Sequence, residues 1–151
     1  MKTLSTRFVL GMVAGLVGAA ALAAPAGKVL FAQSGTEIVN EKGEKRPAKR
    51  GDQLESGERL LTPAGAITQV LLPDGSLVGM RPGSEVKLDT AGPVGDKPGQ
   101  VISLVQGSLR VIGSELMDAQ KPSALTVQTG LATLKLSGAD LEIGRASCRE
   151  R

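Results

Sequence analysis

The feature of this chain that most constrains its fold is a turn signal every few residues between positions 51 and 86. The turns contain Gly, Pro and Asp, and they separate short runs of Leu, Val, Ile and Thr. Such runs are typical of β-strands, because a helix needs about ten or more residues of uninterrupted periodicity. The same spacing continues on both sides of this stretch. We therefore predict an all-β chain.

The predicted domain has about ten short strands, packed as a compact β-sandwich or wound as a β-roll. The pattern suits both arrangements, and we expect the sandwich to be antiparallel. The clearest hairpin lies at residues 66–80, where Asp74-Gly75 predicts a type I′ turn. Residues 101–106 and 109–112 predict a second hairpin about Gly107.

Three other segments complete the prediction. Residues 85–89 alternate, with Val86 and Leu88 facing inward. Residues 90–100 hold three Gly and two Pro and predict an open loop or a lineage-specific insertion. Residues 117–121 are the one helix-compatible segment, and Pro122 ends it.

Residues 1–23 have the pattern of a secretory signal peptide. Lys2 and Arg7 precede an apolar run at residues 8–22, and Ala21-Leu22-Ala23 forms a small-x-small cleavage site. An uncleaved membrane anchor is disfavoured, because a span needs about 20 apolar residues. We expect cleavage after Ala23, export to the periplasm and no remaining membrane span.

The final ten residues, 142–151, continue no strand pattern. Their back-translation can match a widely used short-read sequencing adapter, and they hold the single cysteine, Cys148. We predict that this segment is adapter read-through and that the native domain occupies residues 24–141. The alternative is a real basic tail. Without Cys148 the domain has no disulfide and no cysteine-based metal site.

The charge of the predicted domain is balanced. The chain has 18 basic and 15 acidic residues. Removing the five basic and two acidic residues of the two terminal segments leaves 13 of each sign. This balance argues against nucleic-acid binding. The local cluster Lys45, Arg46, Lys49 and Arg50 is interpreted as a solvated hairpin edge.

The residues commonly used in catalysis are scarce. The chain has no His, which removes the commonest general base and metal ligand. Asp52 could pair with Glu55 or Glu58, but these positions lie in predicted turns. Ser84 and Lys87 could form a catalytic Ser-Lys pair, but a serine and a lysine this close in sequence are expected by chance. We predict no catalytic residue and no enzyme activity.

Binding sites for small ligands are equally poorly supported. Calcium at Asp52 or Asp74 would need several converging oxygens. The tripeptide Arg50-Gly51-Asp52 matches an adhesion motif, but it lies in a predicted turn. Trp and Tyr, which stack on sugars, are absent, and Phe31 is the single aromatic after the leader. We predict no cofactor or metal site and an aliphatic core.

The order of the turns resembles the FecR-type periplasmic domain over approximately residues 29–141. The shared elements are two Gly-acid turns, a Thr, a Gly, an Asp-Gly-Ser turn, a Pro-x-Ser segment, a later Gly and a closing Val-x-Thr. They fall on Gly51-Asp52, Gly57-Glu58, Thr62, Gly65, Asp74-Gly75-Ser76, Pro82-Gly83-Ser84, Gly107 and Val127-Gln128-Thr129. The family's closing Gly-Thr is Gly138-Ala139 here.

The resemblance implies an exported, non-catalytic β module that binds a protein or an envelope component. The regulator that gives the family its name carries a cytoplasmic segment and a membrane span before this domain. This chain begins with a signal peptide instead, which disfavours a direct anti-sigma role. Two alternatives stay open: a sensory module coupled to a missing C-terminal region, and a peptidoglycan or carbohydrate binder.

Overall fold

The computed structural model describes residues 25–94, 97–114, 125–136 and 140–144. These residues form thirteen strands. The strands are β1 Pro25–Ala32, β2 Glu37–Val39, β3 Lys45–Pro47, β4 Gln53–Glu55, β5 Arg59–Thr62, β6 Thr68–Leu71, β7 Leu77–Met80, β8 Ser84–Val94, β9 Lys97–Gln106, β10 Ser108–Ile112, β11 Leu125–Thr129, β12 Thr133–Leu136 and β13 Asp140–Gly144.

The all-β prediction is confirmed, and the strand count exceeds the predicted ten. β3 and β4 have three residues each, too few for an alternation to show in the sequence. The prediction that residues 142–151 continue no strand pattern is wrong for Glu142 to Gly144, which lie in β13 and pair with β10. The predicted leader, the helix-compatible residues 117–121 and Gly138-Ala139 lie outside the described residues. In the part of the chain that is described, no helix is long and apolar enough to cross a bilayer.

The strands form two sheets. One has six strands in the order β13-β10-β7-β6-β1-β4, and the other has seven in the order β12-β11-β9-β8-β5-β2-β3. The inner faces of both sheets contribute to one aliphatic core, which favours a two-layer sandwich over a roll. Its fully buried members include Val29, Val70 and Leu109 from the six-stranded sheet and Leu60 and Ile102 from the other.

Phe31 lies outside this core. Its residue is 41% exposed on β1, where it pairs with the outward-facing Gln69 of β6. Leu, Val, Ile, Ala and Met form the buried cluster, as predicted from the composition. The single aromatic of the predicted domain is therefore a surface residue.

The β6–β7 hairpin is confirmed, but its turn differs from the predicted type I′. Gly75 has a φ of 91°, whereas no described residue other than glycine has a positive φ. The Gly75 amide donates to the Leu72 carbonyl at 2.9 Å, and the Leu72 amide donates to the Ser76 carbonyl at 2.9 Å. This is a three-residue loop, a type I turn followed by a left-handed glycine, and it suits the fixed φ of Pro73 at its first position.

The predicted hairpin about Gly107 is wrong, because β9 and β10 belong to different sheets. Gly107 has a φ of 84°, and a Cβ there would lie 2.5 Å from Ser84 Oγ. The Ser84 hydroxyl accepts from the Ser108 amide at 3.0 Å and donates to the Ser108 carbonyl at 2.7 Å. Gly107 is thus the corner at which the chain passes from one sheet to the other.

The open loop predicted at residues 90–100 is also wrong. β8 and β9 continue through it as one long hairpin, with Thr90 opposite Gln100 and Val94 opposite Lys97. The register shifts between Ala91 and Pro93. Proline is tolerated at such irregularities and on strands whose second edge is unpaired, so its presence did not exclude a strand.

The expectation of a wholly antiparallel arrangement needs one correction. β11 pairs with β9 in parallel, with Leu125 opposite Gln100 and Thr129 opposite Leu104. The chain enters the other sheet as β10 between these two strands, so no hairpin sets their relative direction.

Candidate functional site

The acidic residues that could have formed a carboxylate pair hold a turn instead. Glu58 is 8% exposed, and its Oε2 accepts from the Glu55 amide at 3.0 Å. Arg46 Nη2 donates to both oxygens of Glu58, at 3.4 and 3.3 Å. A buried carboxylate is thereby matched by a cation and a backbone donor, as burial of charge requires. Glu58 ties the turn before β5 to the edge strand β3.

Asp52 has a similar local role. Its Oδ2 accepts from the Lys49 amide at 2.9 Å and lies 3.4 Å from Arg46 Nη1. The flanking backbone is paired with β1, since the Val29 amide donates to the Asp52 carbonyl at 2.8 Å. The Arg50-Gly51-Asp52 tripeptide is therefore part of a turn that is fixed to β1.

The interpretation of residues 45–50 as a hairpin edge is confirmed for the strand itself. β3 is the last strand of the seven-stranded sheet, and Lys45, Arg46 and Pro47 are exposed. Lys45 Nζ lies 3.0 Å from Glu37 Oε2 on the neighbouring strand.

The Asp-Gly-Ser turn binds its own backbone. Asp74 Oδ1 accepts from the Ser76 amide at 2.9 Å, and Asp74 Oδ2 accepts from the Ser76 hydroxyl at 2.8 Å. Ser76 is fully buried, and its Oγ accepts from the Ser114 amide at 3.1 Å. The described residues contain no cluster of three or more acidic, His or Cys side chains that could hold a metal.

Ser84 and Lys87 do not form a pair. Ser84 is buried, and its hydroxyl bridges the amide and carbonyl of Ser108 as described above. Lys87 is three positions along β8, on the opposite face, with its Nζ 3.2 Å from Asp89 Oδ1. A serine nucleophile activated by this lysine is excluded by the geometry.

Three threonines form a buried hydroxyl cluster between the sheets. Thr68 Oγ1 lies 3.0 Å from Thr36 Oγ1 and accepts from Thr62 Oγ1 at 3.1 Å. All three side chains are buried. The cluster satisfies its own hydrogen-bonding groups in the core, which explains why the pattern has a Thr at position 62.

A shallow groove of approximately 290 Å³ crosses the outer face of the seven-stranded sheet. Its walls include Glu37 and Glu85 on either side of Leu61. Both carboxylates already have cations, because Lys45 binds Glu37 and Arg59 Nη1 donates to Glu85 at 2.9 Å. The groove therefore presents little uncompensated charge to a ligand.

The pair of Arg110 and Asp140 connects β10 to β13. Arg110 Nε donates to Asp140 Oδ1 at 2.9 Å. This side-chain hydrogen bond lowers the pKa of Asp140 and raises the pKa of Arg110. Both groups are solvent-exposed, and the pair makes the attachment of the edge strand β13 to β10 dependent on pH.

Sequence reasoning missed the surface residues that stand out in the structure. Leu131 is 95% exposed at the tip of the β11–β12 hairpin, and Leu134 on β12 is 39% exposed. The sequence signal for Leu131 was an apolar residue inside the turn Gly130-Leu131-Ala132. The sequence carries no signal for Leu134, because its alternation with Thr133 and Lys135 is that of an ordinary half-buried strand.

Comparison with known proteins found one family. The sequence model of the family described as FecR protein matches residues 58–149, a span of 92 residues in a chain of 151. The match begins after the first Gly-acid turn and extends past Leu141. No curated protein and no solved structure matches significantly.

Proposed function

Because the chain belongs to the FecR protein family, we propose that it is an exported, non-catalytic module that binds another protein or an envelope component. The family supports a signalling or regulatory module in general. Strand addition is the mode of binding in this proposal, since it uses backbone groups of a sheet edge rather than special side chains.

One observation carries the proposal: the polar side chains of the family pattern are used within the fold. Glu58, Asp74 and Ser84 each accept a backbone amide hydrogen bond, and Thr62 binds Thr68. Groups that stabilise turns in this way are not available to a substrate. What the described part of the chain offers to a partner is strand edges and isolated exposed apolar side chains.

A sensory role is the second candidate, and family membership favours it. In that case the β module is the input domain, and binding of a partner is the event that it reports. The two candidates share the same binding surface and differ in what the module is connected to.

Export is tested with a reporter. Residues 1–30 fused to alkaline phosphatase lacking its own leader should give an active enzyme, because that enzyme matures only outside the cytoplasm. Mass spectrometry of the secreted full-length chain should show Ala24 as its first residue. An inactive fusion, or a mature protein that retains Lys2 and Arg7, would contradict the export proposal.

Binding is tested by photo-crosslinking. A photoreactive residue replaces Lys45 or Lys135 on edge strands, or Lys42 in a turn, in the full-length chain. The chain is mixed with the solubilised envelope of the producing cell. We expect saturable adducts at an edge position that unlabelled chain competes away, and none at Lys42. Adducts at Lys42 alone, or none at all, would reject strand addition as the mode of binding.

A further inference from the structure

The two sheets end in four edge strands, and three of them carry features that discourage an incoming strand. β3 has two cations and a proline, which are known protections of an edge. β4 has only three residues. β13 places Asp140 and Glu142 on its outward face, paired with Arg110 and Arg81.

β12, the fourth edge, carries one such cation, Lys135, but it has no proline, and two of its four residues are leucines. Thr133, Leu134 and Lys135 are exposed, and Leu136 is buried. Leu134 lies opposite Val127 and Leu136 lies opposite Leu125, so both leucines face the core side of the sheet. Leu134 is 39% exposed, and no described strand follows β12. An added strand with apolar residues at alternate positions would cover Leu134 and extend the core.

The outward face of β12 supplies charge complementarity. Lys135 lies opposite Thr126, and no described residue forms an ion pair with it. Lys45 and Lys87, on the same sheet, have the partners Glu37 and Asp89. A carboxylate opposite Lys135 would form a cross-strand pair, whereas a cation there would be repelled.

Leu131 provides an apolar side chain next to this edge. The Thr129 amide donates to the Ala132 carbonyl at 2.8 Å, and the Ala132 amide donates to Thr129 Oγ1 at 3.0 Å. The Leu131 amide also donates to Thr129 Oγ1, at 3.3 Å. The turn is thus held by its own hydrogen bonds while it presents Leu131 to solvent.

We propose that β12 is the docking edge and that its partner is an extended segment of another protein with a defined pattern. The segment has apolar residues at alternate positions and an acidic residue opposite Lys135. This inference rests on the proposed function and specifies its site and the chemistry of the partner.

A second copy of the chain fits less well. If two β12 strands pair in antiparallel with Lys135 opposite Lys135, like charges face each other. A register shifted by two residues, with Leu134 opposite Leu134, also keeps the leucines on one face, but it places Lys135 opposite Thr133 and leaves both cations without a carboxylate. A partner strand that carries an acid satisfies both faces of β12.

The test uses three synthetic peptides, Ser-Val-Thr-Val-X-Val-Thr-Val-Ser, with Glu, Gln or Lys at X. Binding to the full-length chain is followed by amide NMR titration. We expect the Glu peptide to bind about two- to fivefold more tightly than the Gln peptide, with the Lys peptide weakest. The perturbed amides should be those of β12. In an added strand, alternate peptide amides donate to β12 and the others point away from it. N-methylation of the first set should therefore abolish binding, and N-methylation of the second set should not.

Two charge reversals provide the matched comparison. Lys135→Glu should invert the order, so that the Lys peptide binds most tightly. Lys45→Glu, on the edge strand β3 of the same sheet, should leave the order unchanged. Both residues are exposed, and a melting curve of each variant confirms that it remains folded.

Each other outcome overturns the inference. If the peptides perturb β3, β4 or β13, strand addition stands and the assignment to β12 fails. If no edge responds up to about 1 mM peptide, the inference fails, while adducts in the crosslinking experiment would still decide the proposed function. A dimer in sedimentation that Leu134→Ser prevents would assign the edge to a second copy.

Discussion

At the scale of the residue, the buried polar side chains of the described residues have hydrogen-bond partners, with the amide nitrogen of Gln100 as the exception. The threonine cluster shows why such partners are hard to predict, because Thr36 and Thr68 are 32 positions apart. The sequence pattern favours the bond from the Ser76 amide to Asp74 Oδ1, since that bond spans two positions, but not the bond from the Ser114 amide to Ser76 Oγ, which spans 38. It could not predict that Arg46 would bind Glu58. Local contacts follow from the sequence pattern, and distant contacts follow from the packing of strands.

The threonine cluster predicts a non-additive mutational effect. Thr68→Val should lower the free energy of unfolding by about 1–3 kcal/mol, because it leaves the buried Thr36 hydroxyl without its partner and leaves Thr62 Oγ1 with the weak acceptor Met80 Sδ at 3.8 Å. Replacing all three by Val should restore most of the loss, since no polar group is then stranded. Urea unfolding measures both. A triple variant that is less stable than Thr68→Val would contradict this account.

The second prediction at this scale is a loss of stability when Glu58 is replaced. Glu58→Ala should lower the free energy of unfolding by about 1–3 kcal/mol, because the Glu55 amide loses its acceptor and Arg46 keeps only Asp52 and the Gln53 carbonyl. The ion pair itself contributes little of this, since the Arg46 side chain is 44% exposed. Glu55→Ala, an exposed neighbour, is the control and should change stability by less than about 0.5 kcal/mol. Equal effects of the two substitutions would show that Glu58 is an ordinary surface residue.

At the scale of the element, turn chemistry was the least predictable part of the fold. Asp74-Gly75 indicated a hairpin correctly, but Pro73 changed the turn type. Gly107 indicated a turn correctly, but the turn joins two sheets rather than two paired strands. The sequence shows where the chain bends, because glycine permits unusual backbone angles. It does not show which strand comes next to which, because that depends on residues far away.

Gly107 and Gly43 have the same φ, so alanine substitutions at the two positions test whether Gly107 lies at a crowded corner between the sheets. Gly107→Ala should lower the free energy of unfolding by about 2–5 kcal/mol, because a Cβ there meets Ser84 Oγ at 2.5 Å and Ser84 Cα at 2.6 Å. Gly43 also has a φ of 84°, but nothing lies within 4 Å of its added Cβ. Gly43→Ala should therefore cost only the conformational strain, about 1–2 kcal/mol. Similar losses in urea unfolding would contradict the assignment of Gly107 as a crowded corner.

The pairing of β10 with β13 predicts a pH dependence. The hydrogen bond from Arg110 lowers the pKa of Asp140 in the folded state, so its contribution to stability is present above the unfolded pKa. That contribution is lost as the pH falls through the folded pKa. The stability difference between the wild-type chain and Asp140→Asn should therefore be largest near neutral pH and shrink below about pH 4. Adding Asp140→Asn to Arg110→Gln should have little further effect, and a constant difference across the pH range would contradict the pairing.

At the scale of the whole molecule, the all-β class and the FecR family were predictable, and the sheet order was not. The hairpin at β6 and β7 follows from adjacent strands joined by a short turn. The parallel pairing of β9 with β11 does not, because β10 lies between them in the chain and in the other sheet. The position of β12 at the end of its sheet is likewise a matter of sheet order. For this reason the candidate binding edge could be identified only from the structure.

In this account, the polar residues of the family pattern stabilise turns, and partners bind at strand edges. Both claims are tested most directly by amide hydrogen exchange of the full-length chain with and without the solubilised envelope of the producing cell. The account predicts new protection in an edge strand, first of all β12, and unchanged exchange at the turns containing Glu58 and Ser76. Protection centred on those turns or on the groove beside Leu61, with every edge unchanged, would contradict it.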